Sequence, residues 1–487
     1  MVRSLLGAQP SSVTCTFDPD GSYAKTYKPQ GVDLAFLTGL MDWPLTDDRF
    51  FKVNQLTESL GIQVEFKVHP LRDADHPNTV RIEISSRDGK RLTIMAKSIG
   101  GGAVVVTRFN GWDVRLTGKC SEILVEAFRA RKLEIIAFLE SVHFNVVNCQ
   151  EHDDTVLIHF QSDHSLDRDT KRQLKTLDGV RDFRTVDPLF FVKRGESLFS
   201  SSKEMVLKAE DRNCSLGEIA VEFEARLLGL PKDKMMEEMI RRFEVMKESV
   251  KQGLNEENIH MMLLKPSAGK LFHAETSGKV AIGGIHTRAA AKALAAMHTN
   301  NSMGVVCAAP TGGSAGVLPG VVLSLAEEKN VDPGRATMLL FAAGAIGLII
   351  ADRATFAAEI AGCQVEIGAA GAMAAAAVVE FAGGTAQQAV DAAAIALQNT
   401  MGSICDLVQG ACEIPCHTRN AVAASNAFLC GDLILGGYQN PIPLDETIDA
   451  MYAVGKMLPS ELRCTSLGGI AVTPSALSLP VIRNDTT

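Results

Sequence analysis

Aromatic side chains are scarce in this sequence, with two Trp and four Tyr among 487 residues. A surface that reads nucleic acid by stacking needs such rings, so their scarcity disfavours that mode of recognition. A basic run is also missing, and the net charge is −9, which argues against nucleic acid or an anionic membrane as partner. The longest apolar run, Thr337 to Ala351 between Arg335 and Asp352, falls short of the ~20 residues of a bilayer span and predicts a buried helix. No apolar signal segment opens the chain, and eleven cysteines in such a chain fit a reducing compartment. Their odd number leaves at least one thiol unpaired in any disulfide scheme. These features predict a soluble intracellular protein, cytoplasmic or mitochondrial. A C-x-x-C pair is lacking around the cysteines discussed below. The Gly-Lys-[Ser/Thr] ending of a P-loop is lacking too, as is a lysine-bearing phosphate loop suited to pyridoxal phosphate.

What is present divides the chain into three stretches. A length of 487 residues predicts two or three domains with room for a sizeable core. Up to residue 120 the pattern is mixed α/β. Ser12 to Phe17 and Ile62 to Val68 read as strands, flanking a helical stretch from Asp47 to Leu60. Arg81 to Ser85 and Leu92 to Met95 alternate around Arg87-Asp88-Gly89, and Val104 to Phe109 and Trp112 to Leu116 flank Asn110-Gly111. Both are hairpin signals. His76-Pro77-Asn78 precedes the first hairpin, and a triple glycine, Gly100 to Gly102, precedes the second. Taken alone, the first reads as a turn and the second as a strained bend.

Residues 121–195 follow the order βαββαβ, a ferredoxin-like pattern: strands over Ile123 to Phe128, Val146 to Cys149, Val156 to Phe160 and Val180 to Val186, with helices over Lys132 to Phe144 and Leu166 to Leu177. Beyond the polar linker Glu196 to Lys203, Ala-rich helical periodicity continues, predicting an all-α domain over 204–480. The fold class expected is α+β.

Within the helical stretch, Cys363 follows Gly362, Cys405 adjoins Asp406, and Cys416 follows Pro415. All three fall where a regular helix should break, so their sulfurs can turn inward from loops. Three inward thiolates without a matching fourth suit an iron–sulfur cluster with one iron open to substrate. The alternative is three buried structural cysteines in a small-residue core, and spacing alone favours it.

The motifs around these cysteines tilt the balance. Gly362-Cys363-Gln364-Val365-Glu366-Ile367-Gly368, then Cys405-Asp406, then Ile414-Pro415-Cys416-His417-Thr418-Arg419-Asn420 resemble the catalytic domain of the iron–sulfur-dependent L-serine dehydratases. The resemblance extends to Asn301 to Gly304, Ala308 to Pro319, Leu467 to Ala471 and Thr473-Pro474, nearly half the chain. It implies that Cys363, Cys405 and Cys416 hold a [4Fe-4S] cluster acting as Lewis acid, and that the chain converts L-serine to pyruvate and ammonia. Thr311 and Ser314, in a loop with two hydroxyls and flexible backbone donors, are expected to bind the substrate carboxylate. Gly21 to Lys28, Gly31 to Asp33, His76-Pro77-Asn78 and the triple glycine match the small domain of the same enzymes, which implies a catalytic role for His76 and a substrate-binding role for Asn78. Residues 121–195 resemble an ACT domain. Their first strand-to-helix loop, Arg129-Ala130-Arg131, lacks the glycine with which such modules admit an amino acid, so a structural or dimerising role is expected.

A homodimer acting on a small amino acid is expected, with neither nucleic acid nor membrane as partner. Cys412 reads as a packing residue, and Cys464 is the better of the two for an occasional fourth ligand, though neither is assigned as one. The family also carries a Ser-Ser-Ser-His-Thr segment ahead of the region that Met1 to Gly7 matches, and Ser11-Ser12-Val13-Thr14 lacks its His. On this reading the chain binds a cluster but turns over serine ~10²–10⁴-fold slowly. A cysteine desulfidase, or a catalytically impaired paralogue that binds an amino acid, stands as the alternative.

Overall fold

The computed structural model describes residues 1–255 and 257–480. They form two compact units, one of residues 1–24, 31–99 and 103–195, the other of residues 25–30, 100–102 and the chain from Glu196 on.

The first unit holds two sheets. Pro10–Phe17 (β1) and Gln63–Val68 (β2) pair in parallel. Thr79–Ser86 (β3), Arg91–Ser98 (β4), Val104–Phe109 (β5) and Trp112–Leu116 (β6) continue antiparallel, in the order β2-β1-β3-β4-β5-β6. Alternation sets the buried face: Val80, Ile82 and Ile84 point into the core while Arg81 and Glu83 face solvent. The β5–β6 turn forms where expected, because Asn110 and Gly111 both take positive φ, as a two-residue hairpin of type I′ requires.

The second sheet comprises Ser121–Phe128 (β7), Asn145–His152 (β8), Thr155–Ser162 (β9) and Val180–Val186 (β10), antiparallel in the order β10-β7-β9-β8. Helices Lys132–Glu140 and Arg168–Thr176 complete the expected βαββαβ order. Ile123, Val125, Ile158 and Phe160 pack with Ile135, Leu139 and Leu174 from the helices. The first helix stops four residues earlier than its apolar pattern predicts. His143 turns left-handed at φ 62, and the amide of Phe144 returns to the carbonyl of Leu139, which carries its ring into the core. In the sheet, Glu122 is fully buried against His159 Nε2 at 2.7 Å, Gln161 Nε2 at 3.1 Å and the Thr117 amide at 2.8 Å. Burial opposes its charge, but these donors hold its carboxyl below the usual range.

The second unit is built of helices, with one correction to the all-α expectation. Cys405–Asp406 (β11) and Arg463–Thr465 (β12) form a two-stranded parallel ribbon. Strands of two and three residues carry no periodicity, so the pattern of side chains had nothing to show. The surrounding core is rich in alanine: every residue from Ile367 to Val379 in the Ile367–Phe381 helix is buried, and side chains this small let neighbouring helices approach closely. The helices Pro333–Arg353 and Cys363–Phe381 are long and apolar enough to cross a membrane. Protein covers 67% and 83% of their apolar windows, however, the mark of core helices. The first is 21 residues long, extending past both ends of its apolar run.

Both short segments of this unit that come from the early sequence meet its backbone. Gln30 Nε2 donates to the carbonyl of Gly410 at 3.3 Å. Gly100 bridges Phe356 in parallel; with φ 85 and a Cβ that would lie 2.4 Å from the Ala357 nitrogen, the position admits only glycine.

Candidate functional site

The three cysteines singled out by sequence occupy three different local structures. Cys363 opens a tight 3₁₀ turn after Gly362, which takes φ 76 and whose Cβ would lie 2.7 Å from the Ser403 carbonyl. That close approach lets the Cys363 amide donate to Ser403 O at 2.9 Å. Gln364 adds a second stitch, accepting from the Gly402 amide at 2.8 Å. The turn is thereby fixed to the segment that leads into the strand carrying Cys405. In β12, Cys464 sits at the irregularity between the Cys405–Arg463 and Asp406–Thr465 pairs and takes φ 58. Cys416 is not in a loop, as expected, but is the first residue of the Cys416–Leu435 helix, because Pro415 sets its start and the helix runs on from there.

All three cysteines are buried, and their thiols meet others. The Cys405 thiol hydrogen-bonds with Cys363 and with Cys464, and these contacts together with burial push it well above the ordinary thiol range. Cys412 hydrogen-bonds with Cys416 and is raised in the same way, with Glu366 and Cys464 adding to the effect. Five thiols therefore share one region, not three: Cys363, Cys405 and Cys416 are buried, and Cys412 and Cys464 are half-buried. Arg419 lies among them. Burial works against its charge, yet Cys363, Asp406 and Cys416 hold its guanidinium above its usual range. It donates to Asp406 Oδ1 at 2.9 Å and to Ile404 O at 2.8 Å. Beside Cys363 and Arg419 opens a crevice of about 330 Å³, also lined by Ser403, Thr400, Thr418 and Asn426.

Among the described residues no three His, Cys, Asp or Glu side chains converge as ligands of one metal ion. A single ion demands that its ligands share one point, at about 2.0–2.3 Å for zinc. A multi-iron cluster takes its thiolates on separate irons and so suits thiols that line one pocket without sharing a point. The soft, all-sulfur donor set fits that second kind of group.

Polar side chains hold this region in shape. The buried Glu413 carboxylate accepts from three successive amides, Met262 at 2.6 Å, Leu263 at 2.8 Å and Leu264 at 2.7 Å. Asn420 accepts from the Gly316 amide at 3.0 Å and donates to Gly313 O at 2.8 Å and Cys416 O at 2.9 Å, tying the 311–316 loop to the Cys416 helix. Asp406 also accepts from the Ile470 amide at 2.8 Å. Asn301 Nδ2 donates to His417 Nε2 and to Cys412 O, both at 2.6 Å, which leaves the His417 proton on Nδ1. Burial, then the neighbouring His298, lowers His417 to about 3, so its ring is neutral.

Thr311 and Ser314 lie in a small turn where their hydroxyls bond each other at 3.1 Å; Ser314 is fully buried, and Thr311 also bonds Glu366. His76 and Asn78 belong to the first unit, where the Asn78 amide donates to His76 Nδ1 at 3.1 Å. Burial, then the charge of Lys97, lowers the His76 ring below its ordinary value. Glu366, Glu413, Arg419 and Asn420 stand within or beside the motifs but carry no role legible from sequence. The available signal was their polarity inside an otherwise apolar, Ala-rich stretch, where a buried charge needs a reason.

The profile of a family described as "Serine dehydratase alpha chain" matches residues 165–471. Among relatives, the "Probable L-serine dehydratase, alpha chain" of Bacillus subtilis (strain 168) is 38% identical over 282 residues, 58% of this chain and 94% of the relative. The protein of the same description from Latilactobacillus sakei is 45% identical over 195 residues, 40% of this chain and 93% of the relative. "L-serine dehydratase 1" of Escherichia coli (strain K12) is 37% identical over 182 residues, 37% of this chain and 40% of the relative. With the matched profile spanning more than half its length and wrapping the cysteine-lined region, the chain belongs to the serine dehydratase alpha chain family.

Proposed function

We propose that this protein is an L-serine dehydratase, converting L-serine to pyruvate and ammonia, with a [4Fe-4S] cluster held by Cys363, Cys405 and Cys416. The observation that carries the reading is the pairing of Cys405 with Cys363 and Cys464 and of Cys416 with Cys412, which itself feels Cys464, inside the segment matched by the family. When bound, the cluster supplies a Lewis acid toward the leaving hydroxyl. The chain supplies position and field. Glu413 and Asn420 fix the backbone on either side of Cys416. Backbone donors of the 311–316 loop, beside the Thr311 hydroxyl, receive the substrate carboxylate. On this reading His76 moves the α-proton, its lowered basicity keeping the ring neutral near pH 7 and able to accept it, and Asn78 helps to hold the substrate. The 121–195 unit serves as an ACT-like module, and the enzyme works as a cytoplasmic homodimer.

Thiolate and hydroxide are both leaving groups that an iron can take, so the test is a comparison of substrates. On anaerobically reconstituted protein, kcat/KM for L-serine should exceed those for L-cysteine and L-threonine by at least about tenfold, the scale of one well-placed polar contact. Faster sulfide release from cysteine than pyruvate formation from serine would replace this reading with a desulfidase. No turnover of any of the three, with amino-acid binding intact by calorimetry, would replace it with a regulatory paralogue.

A further inference from the structure

An amino-acid substrate brings three polar groups to its site, and the thiols and the 311–316 loop answer only two of them. We propose that the carboxylate of Glu366 receives the substrate's α-ammonium group, a deepening of the dehydratase reading that rests upon it. Glu366 is enclosed, yet solvent still reaches part of it. It lies beside each element that the reading uses. Its amide donates to Cys363 O at 3.0 Å, and its carboxylate bonds Thr311 and acts on the Cys412 thiol. The glycine at 313 is what admits it: a Cβ there would lie 3.1 Å from Glu366 Oε1.

Among the described residues, nothing cationic compensates this carboxylate. Its side chain finds its partner in the neutral Thr311 hydroxyl. Arg419, the cation of this region, is held by Asp406 and the Ile404 carbonyl. An enclosed carboxylate is best held opposite a cation, and here the ligand is the source that fits. An ammonium offers three donors, enough for Glu366 and for carbonyls of the adjoining loop. Nothing in this geometry selects among amino acids, since all share the α-ammonium group. The contact therefore sets the class of ligand and leaves the choice of leaving group to the other side of the site.

The test is calorimetry on cluster-loaded protein with two ligands. L-alanine carries the ammonium but no leaving group, and L-glycerate carries the hydroxyl but no ammonium. Glu366→Gln keeps the shape and removes the charge. It should weaken L-alanine by at least about tenfold, the loss expected for one charged hydrogen bond, while L-glycerate changes by less than about twofold and the cluster absorption is unchanged. Equal weakening of both ligands, no weakening of either, or loss of the cluster in this variant would each assign Glu366 a structural role and overturn the proposal. A second measurement needs no variant: the wild-type protein should bind L-alanine at least about tenfold more tightly than propionate, and equal affinities would also overturn it. These outcomes separate from failure of the dehydratase reading itself, which shows as wild-type protein that turns over no amino acid.

Discussion

Replacing Glu413 by alanine is expected to release the segment that braces Cys412 and Cys416, at a cost of about 3–5 kcal/mol. Three consecutive amides, those of Met262, Leu263 and Leu264, end on this one buried carboxylate at 2.6–2.8 Å. Hydrogen bonds to a charged acceptor are worth more than neutral ones, and their loss leaves three donors unsatisfied where water enters poorly. Because the chain has two units, a single unfolding midpoint would mix their stabilities. Amide hydrogen exchange at residues 262–264 reads the effect locally. Protection there should fall by about 10²–10³-fold in Glu413→Ala, with the strands of the first unit unchanged. Glu413→Gln, which keeps an accepting oxygen but loses the charge, should fall between. Protection within about twofold of wild type would mean that these amides are held by something else.

The second large effect concerns iron. Reconstituted anaerobically with iron and sulfide, Cys363→Ala, Cys405→Ala and Cys416→Ala should each lose the broad visible absorption and the bound iron, since a cluster held by three thiolates has no ligand to spare. Cys412→Ala and Cys464→Ala should keep both. This is a demanding separation, because the Cys405 thiol touches Cys464 and the Cys412 thiol touches Cys416. Retention of the cluster in all three of the first variants, or its loss in Cys412→Ala alone, would reassign the ligands.

Periodic features were legible in the sequence and singular ones were not. The Asn110-Gly111 hairpin and the βαββαβ order follow from alternation and turn chemistry, which repeat over several residues and so survive local noise. The Ala-rich helices were equally plain, and their ends less so: the Pro333–Arg353 helix overruns its apolar stretch because Asp332 caps it before the apolar residues begin, accepting from the Arg335 amide. The β11–β12 ribbon was illegible, being too short for any period. Cysteine motifs marked where the site would be, through resemblance and not spacing, while the thiol contacts of Cys464 depend on a left-handed backbone that no local pattern announces. Glu366 stood within a quoted motif. Its bond to Thr311, distant in sequence, became visible only in the fold.

The central claim is a cluster with three protein ligands and one iron open to substrate. Mössbauer spectroscopy of ⁵⁷Fe-reconstituted wild-type protein, with and without L-serine, tests it most directly. The account predicts about four iron and four sulfide per chain, with about a quarter of the iron signal shifting on addition of L-serine and the rest unmoved. Iron that is absent, or a full cluster whose signal does not respond to L-serine at all, would contradict it.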